Sequence, residues 1–377
     1  MNKNNIILFL IVIVGLGLRL YLATGSYNND IIVTQQDIQI VKEGKNIYLH
    51  QTAYNYSSFF YYLSGFYGWV QQIFPMLEIK FIVRAFYSFI DLLTLLVLVK
   101  IARKKSISPN KTAALFFLNP ISITISGHHG QFDNIAILFL LLALWIHIQE
   151  KVTKKMKIFK IWLLLTAGMY VKHIILNQVL LVYSYISKKP WYAILLFGAS
   201  LAVFFISFLP FIEAGSRIFS QVFKYGGLQT FYGITYIINN ICTECINFGI
   251  KWIDIYKYIF IVIYSLFSFY IGFKLKKYDI FRLVLLSMLF FLTFTSGIGA
   301  QYFVIPIAIG ALFPTKWFYL YTGIVTLYYL GVSDEFGIIP FQIISWNIVW
   351  IFATFWFLSE LMIAMPRLRK LYDRLLR

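Results

Sequence analysis

Asn119-Pro-Ile-Ser-Ile-Thr-Ile-Ser-Gly-His-His-Gly-Gln-Phe-Asp-Asn134 is the stretch on which the reading of this chain turns. Apolar runs long enough to enter a bilayer flank it, and an apolar linker would insert at lower cost than these polar groups do. The turn is therefore expected to face water or a ligand, and a site is expected there. Pro120 removes a backbone donor, so the preceding span should break at Asn119-Pro120. Asp133 would open the next helix, where the macrodipole favours a carboxylate. That accounts for Asp133 but leaves His128, His129 and Gln131 unexplained. Adjacent histidines near an aspartate raise the question of a metal, but no His-x-x-x-His spacing supports one and none is expected.

Working outward, hydrophobic residues make up 60% of the 377, aromatics 20% and charged residues 13%, against about 25% charged in soluble domains. This composition is that of an all-α polytopic membrane protein with about 12 spans at roughly 20 residues each. Apolar runs place them near 5–23, 81–101, 111–127, 131–149, 159–173, 174–187, 190–212, 256–275, 280–296, 299–313, 316–332 and 343–363. Lys and Arg gather on alternate loops, such as Lys100 to Lys105, Lys151 to Lys160 and Arg367 to Arg377. These loops and both termini are therefore assigned to the cytoplasm. The net charge of +18 is then an orientation signal, and no nucleic-acid partner is expected.

The whole chain, 1–377, reads as one integral-membrane domain with a first outer loop at 24–80, a second at 213–255 and a cytoplasmic tail at 364–377. The first span looks like a retained helix rather than a signal peptide, with Arg19 snorkelling towards the headgroups. The Tyr- and Phe-rich run 59–70 is expected to lie along the membrane as an amphipathic helix.

Candidate residues collect on the outer side. Asp30 follows the first span and could act as a general base if a hydroxyl came within reach; Asp37 is its competitor. Asp91, inside the second span, needs a partner facing the bundle, and Arg84 is too far along the helix to pair with it. Lys172-His173 places a cation in the interior, where it must line a polar cavity or meet an anion such as a phosphate. Arg217 and Lys224 stand in the second loop, which could act as a lid or a phosphate contact. Gln301-Tyr302 follows another small-residue turn, and Asp334-Glu335 occupies a third outer turn. The only cysteines, Cys242 and Cys245, would be a disulfide or two free thiols on an outer face. No Walker A or Gly-x-Ser-x-Gly sequence is present, so ATP-driven transport and serine hydrolysis have no support.

These residues resemble the multi-spanning GT-C glycosyltransferases that use polyprenyl-phosphate sugars, particularly bacterial and archaeal relatives of the mannosyltransferases of GPI-anchor and N-glycan assembly. The likeness is carried by Asp30 followed by Gly44, Asn46 and Tyr48; by Tyr54 and Tyr56; by Asn119-Pro120 with Ser126-Gly127 and Gly130-Gln131-Phe132-Asp133; and by Gln301-Tyr302. Tyr56-Ser57-Ser58-Phe59 stands where the family has Tyr-Pro-Pro-Leu, and His129 stands where it has tryptophan.

The resemblance implies a GT-C-like bundle with amphipathic loop helices and inverting hexosyl transfer, mannose being the expected sugar, at the extracytoplasmic face. The donor would be a polyprenyl-phosphate sugar and the acceptor a lipid-linked glycan, lipid or protein. Asp30 would be the base, with Asp133 and His129 orienting substrate beside Asp37, Tyr48, Tyr56, His128, Gln131, Gln301 and Tyr302. Lys172, His173, Lys224 and Arg217 would meet the lipid phosphate, with no cofactor and no obligatory metal. The competing readings are a transporter or lipid flippase without bond chemistry, and a glycan polymerase or ligase using diphosphate-linked donors.

Overall fold

In the computed structural model, residues 3–52, 54–149, 153–225, 227–241, 252–332 and 336–365 are described. Cys242, Cys245, Asp334, Glu335 and the tail beyond Met365 lie outside them. Among the described residues the fold is helical, apart from an antiparallel pairing of Leu228–Gln229 with Gly297–Ile298. Four helices are long and apolar enough to cross a membrane: Asn4–Ala23, Ile79–Lys104, Trp252–Lys274 and Trp346–Ala364. The pair Pro190–Ile206 and Leu209–Phe223, bent by 67°, would make a fifth if it is one broken span. Asp133–Ile148, at 16 residues, reaches only about 24 Å at 1.5 Å per residue, short of a hydrocarbon core of about 30 Å. The apolar run expected at 111–127 is divided at Asn119-Pro120, as the missing proline donor requires.

The chain forms two compact units. The first comprises the described residues of 1–176 and 198–225. Its described helices begin with α1 (Lys3–Ala23), α2 (Asn29–Lys42), α3 (Ile47–His50), α4 (Ser58–Ile73) and α5 (Ile79–Lys104). They continue with α6 (Pro109–Phe117), α7 (Pro120–Thr124), a π-helical turn (Ile125–His129), α8 (Asp133–Ile148) and α9 (Lys154–Val171). In α4, Phe60, Leu63, Ser64 and Tyr67 are buried while Tyr62, Phe66, Trp69 and Ile73 are exposed. The 59–70 run is thus a two-faced helix, in keeping with the amphipathic helix expected of this Tyr- and Phe-rich segment. Gly65 and Gly68 of α4 sit against Val41, Ile38 and Lys42 of α2, which brings those helices close.

A buried polar lock holds α1, α5 and the broken segment together. Arg19 does not snorkel: it is fully buried. Its Nε donates to Ser126 Oγ at 3.0 Å and Asp91 Oδ2 at 3.2 Å, and its terminal nitrogens donate to Ser122 Oγ (2.7 Å), Phe117 O (2.7 Å) and Gly15 O (3.0 Å). A snorkelling side chain trades position for water; here the surrounding oxygens replace that water. Asp91 also accepts from Ser122 Oγ at 3.0 Å and Asn134 Nδ2 at 3.1 Å.

Gly127 lies over this lock, and a Cβ added there would stand 2.8 Å from Arg19 Cα. Backbone cannot yield as a flexible side-chain tip can, so Gly127→Ala should destabilise the protein by about 1–3 kcal/mol. A lowered thermal midpoint in detergent is the expected reading, and an unchanged midpoint would show that the two segments can separate without loss.

The second unit comprises the described residues of 177–197, 227–332 and 336–365. Ile280–Phe294 and Trp346–Ala364 pack together, and Lys316–Gly331 packs on the latter. Tyr264 links its interior, accepting from Gln178 Nε2 at 2.7 Å and donating to Ser287 O at 2.9 Å. Buried Glu360 accepts from Arg282 at 3.0 Å.

Candidate functional site

The first unit gathers the polar residues of the decisive stretch against the start of α2. Asn28 is the N-cap of α2, its Oδ1 accepting from Ile31 N at 3.0 Å. The other end of the same carboxamide donates to the carbonyls of His129 (3.0 Å) and His128 (3.3 Å). One side chain therefore starts α2 and ties it to the π-helical turn. Gly130 completes the join: with φ +78° it takes the left-handed conformation, and an added Cβ would lie 2.7 Å from Ile31 Cδ1.

This join brings Asp30, in the first turn of α2, to His129, with Oδ2 2.6 Å from Nε2. About a third of the Asp30 side chain remains exposed, 35% against 13% for His129. Burial alone would raise the Asp30 pKa. The bond and charge of His129, a hydrogen bond from Gln131 and the Lys172 charge outweigh it, holding the carboxyl below its ordinary range. Asp30 is thus an ionised carboxylate that a solute can approach.

Asp133 and Lys172 stand behind it. Lys172 caps the C-terminus of α9 in extended conformation, and its Nζ lies 2.7 Å from Asp133 Oδ2 and 4.6 Å from the centre of the Phe132 ring. Both charged side chains are nearly inaccessible. The expectation of a lysine waiting for a phosphate is therefore altered, because Asp133 already balances its charge. Asp133 does open α8 as expected, but its bond to Lys172 ties α8 to the end of α9.

The other expected residues divide by accessibility. Tyr56 is part-exposed and packs edge-on to Phe132 at 5.0 Å. Tyr48 is fully buried and donates to Tyr56 O at 3.1 Å, so it supports the wall rather than lining it. His128 is buried beside Gly25, unlike its neighbour His129. His173 faces the Phe204 ring at 6.4 Å. Arg217 and Lys224 are exposed; Arg217 donates to Leu49 O at 2.6 Å and Lys224 lies 5.3 Å from the Phe219 ring centre. Gln301 and Tyr302 belong to the second unit, in the 3-10 turn Ala300–Val304, where Tyr302 meets Phe291 at 5.9 Å.

Asp37 lies two turns beyond Asp30 on α2 and is fully buried, its Oδ1 accepting from Gln51 Nε2 at 3.3 Å. A solute can reach Asp30 but not Asp37. Burial, partly offset by the Gln51 bond, raises the Asp37 pKa to about 7. Protein stability should therefore fall as pH rises from about 4, where the unfolded carboxyl ionises, to about 7, where the folded one follows. The interval between these two values corresponds to about 4 kcal/mol. Asp37→Asn should remove that fall, raising the thermal midpoint at pH 8 while leaving it nearly unchanged at pH 4. A midpoint of the native protein that is flat across this window would contradict the assignment.

Residues not singled out from sequence complete the site. Asn28 carries the join; Tyr87 lies within electrostatic reach of both Asp30 and Asp133; Tyr225 hydrogen-bonds with Asn55 and feels the Asp30 charge. Burial raises the Tyr225 pKa, and Asp30 adds to that effect. Among the described residues no group of three or more His, Cys, Asp or Glu side chains could hold a metal ion. Comparison with protein-family models, curated proteins and solved structures finds no match.

Proposed function

We propose that the chain is an inverting membrane glycosyltransferase, moving a hexose from a polyprenyl-phosphate carrier to a hydroxyl of a lipid-linked glycan, lipid or protein at the extracytoplasmic face. The finer architecture that goes with this reading is a GT-C-like bundle of about a dozen crossing segments, some broken. The observation that carries it is the accessible carboxylate of Asp30, kept ionised by His129 and Gln131 directly after a span.

In this reading the acceptor oxygen attacks the anomeric carbon while Asp30 takes its proton. The bond from that carbon to the phosphate oxygen breaks, and its electron pair leaves with the lipid phosphate. Positioned proton transfer of this kind is worth about 10²- to 10⁴-fold. His129 orients the carboxylate that the acceptor meets. Lys172, already balanced by Asp133, sets the field behind the reacting groups, while the exposed cations Lys224 and Arg217 answer the growing charge on the phosphate.

The test is transfer of label from radiolabelled polyprenyl-phosphate hexoses, mannose first, by purified protein in detergent. Native protein should consume one such donor. The acid limb of kcat/KM should lie below the ordinary carboxylate range, as the lowered Asp30 pKa requires, whereas a limb near pH 7 would point to Asp37. Failure to consume any polyprenyl-phosphate hexose with a full set of acceptors would sink the reading.

A further inference from the structure

The face of α2 turned away from Asp30 carries a second polar feature. At about 100° per residue, Asp30, Thr34 and Asp37 fall on one side of the helix and Gln35, Gln39 and Lys42 on the other. The second side forms the wall of a cleft of about 430 Å³, to which α4 contributes Gln71 and α5 contributes Ile79. Gln36 also lines it, its Oε1 accepting from the Gln51 carboxamide that reaches Asp37. The volume is within the range of small-molecule sites, roughly 300–1,000 Å³.

We propose that this cleft binds a neutral sugar ring. A carboxamide offers an acceptor and donors side by side, the arrangement that matches a pair of neighbouring hydroxyls, and four carboxamides line this one cleft. An anion is a poorer match. The Lys42 ammonium is turned to Gln71 Oε1 at 3.4 Å, and the nearby Glu43 accepts from Gln39 at 2.7 Å and pairs with Lys45 at 2.6 Å. Ile32, which is exposed, supplies apolar surface for the C–H face of a ring. Ile79 is also the first residue of a helix long and apolar enough to cross a membrane, so the cleft lies at one end of that helix. A free glycan or the sugar headgroup of a membrane lipid could therefore present the same ring. The inference goes beyond the glycosyl-transfer reading, since binding here requires neither a donor nor Asp30.

The experiment uses full-length protein in phosphatidylcholine nanodiscs. One arm titrates mannotetraose and maltotetraose by calorimetry; the other adds glucosyl-diacylglycerol to the discs and follows its retention on the protein by native mass spectrometry. Saccharide or glycolipid binding should weaken at least tenfold in Q35L/Q39L/Q71L and persist in Q72L, whose side chain lies outside the cleft. Binding in the first arm identifies free glycan as a source, and binding in the second alone identifies the lipid headgroup. Retention of either ligand by the triple variant, or no binding of any probe by native protein, overturns the proposal. So does a cleft that takes inositol phosphate and loses it in Lys42→Met, because that marks an anion site. Loss of binding here with donor turnover intact separates the two readings.

Discussion

Replacing Asp30 with asparagine should lower donor turnover by about 10²- to 10⁴-fold, the span over which a positioned base contributes. The substitution keeps the shape of the side chain and its place at the start of α2, but the carboxamide cannot accept the acceptor's proton. Asn28 still caps α2 and still holds the carbonyls of His128 and His129, so the turn should survive. The informative comparison is Asp37→Asn, which changes an inaccessible carboxyl two turns along the same helix. Rates of label transfer for the two variants, measured beside their thermal midpoints, separate loss of chemistry from loss of fold. Equal activity of Asp30→Asn and native protein would remove Asp30 from the reaction.

The largest effect on stability is expected at the polar lock. Asp91→Leu leaves the fully buried Arg19 guanidinium without its counter-charge, and breaking a buried pair from one side costs about 3–5 kcal/mol. Arg19→Leu should cost less, because Ser122 and Asn134 still donate to the remaining carboxylate. The double variant Arg19→Leu/Asp91→Leu should recover part of the loss, since apolar replacement of a buried pair is often close to neutral. Denaturation midpoints for the four proteins complete a double-mutant cycle. Simple additivity of the two single losses would show that Arg19 and Asp91 do not depend on each other.

Local rules made some of this legible. Proline chemistry located the break at residue 119, and the Tyr- and Phe-rich composition of 59–70 marked α4 as amphipathic. Pairings across long separations were less accessible. Arg19 near the end of an apolar run matches the pattern of a snorkelling residue, and nothing nearby in sequence names Asp91, Ser122 and Ser126 as its partners. The sequence around Lys172 leaves open a cavity, a phosphate or a turn at the surface, and nothing near it names Asp133 of the same chain as its partner. The π-helical turn has no propensity signature at all; it follows from packing against Arg19 and Ile31, where only Gly127 and Gly130 leave room.

That turn also determines how two identical neighbours diverge. His128 is enclosed while His129 meets Asp30, although the backbone offers both the same chemistry. An ordinary helix advances about 100° per residue, so deleting one residue from 125–129 would swing everything after it out of phase with α2. Spacing along the chain is thus as binding a requirement here as residue identity. A shortened turn that retained both histidines would still be expected to lose the carboxylate contact.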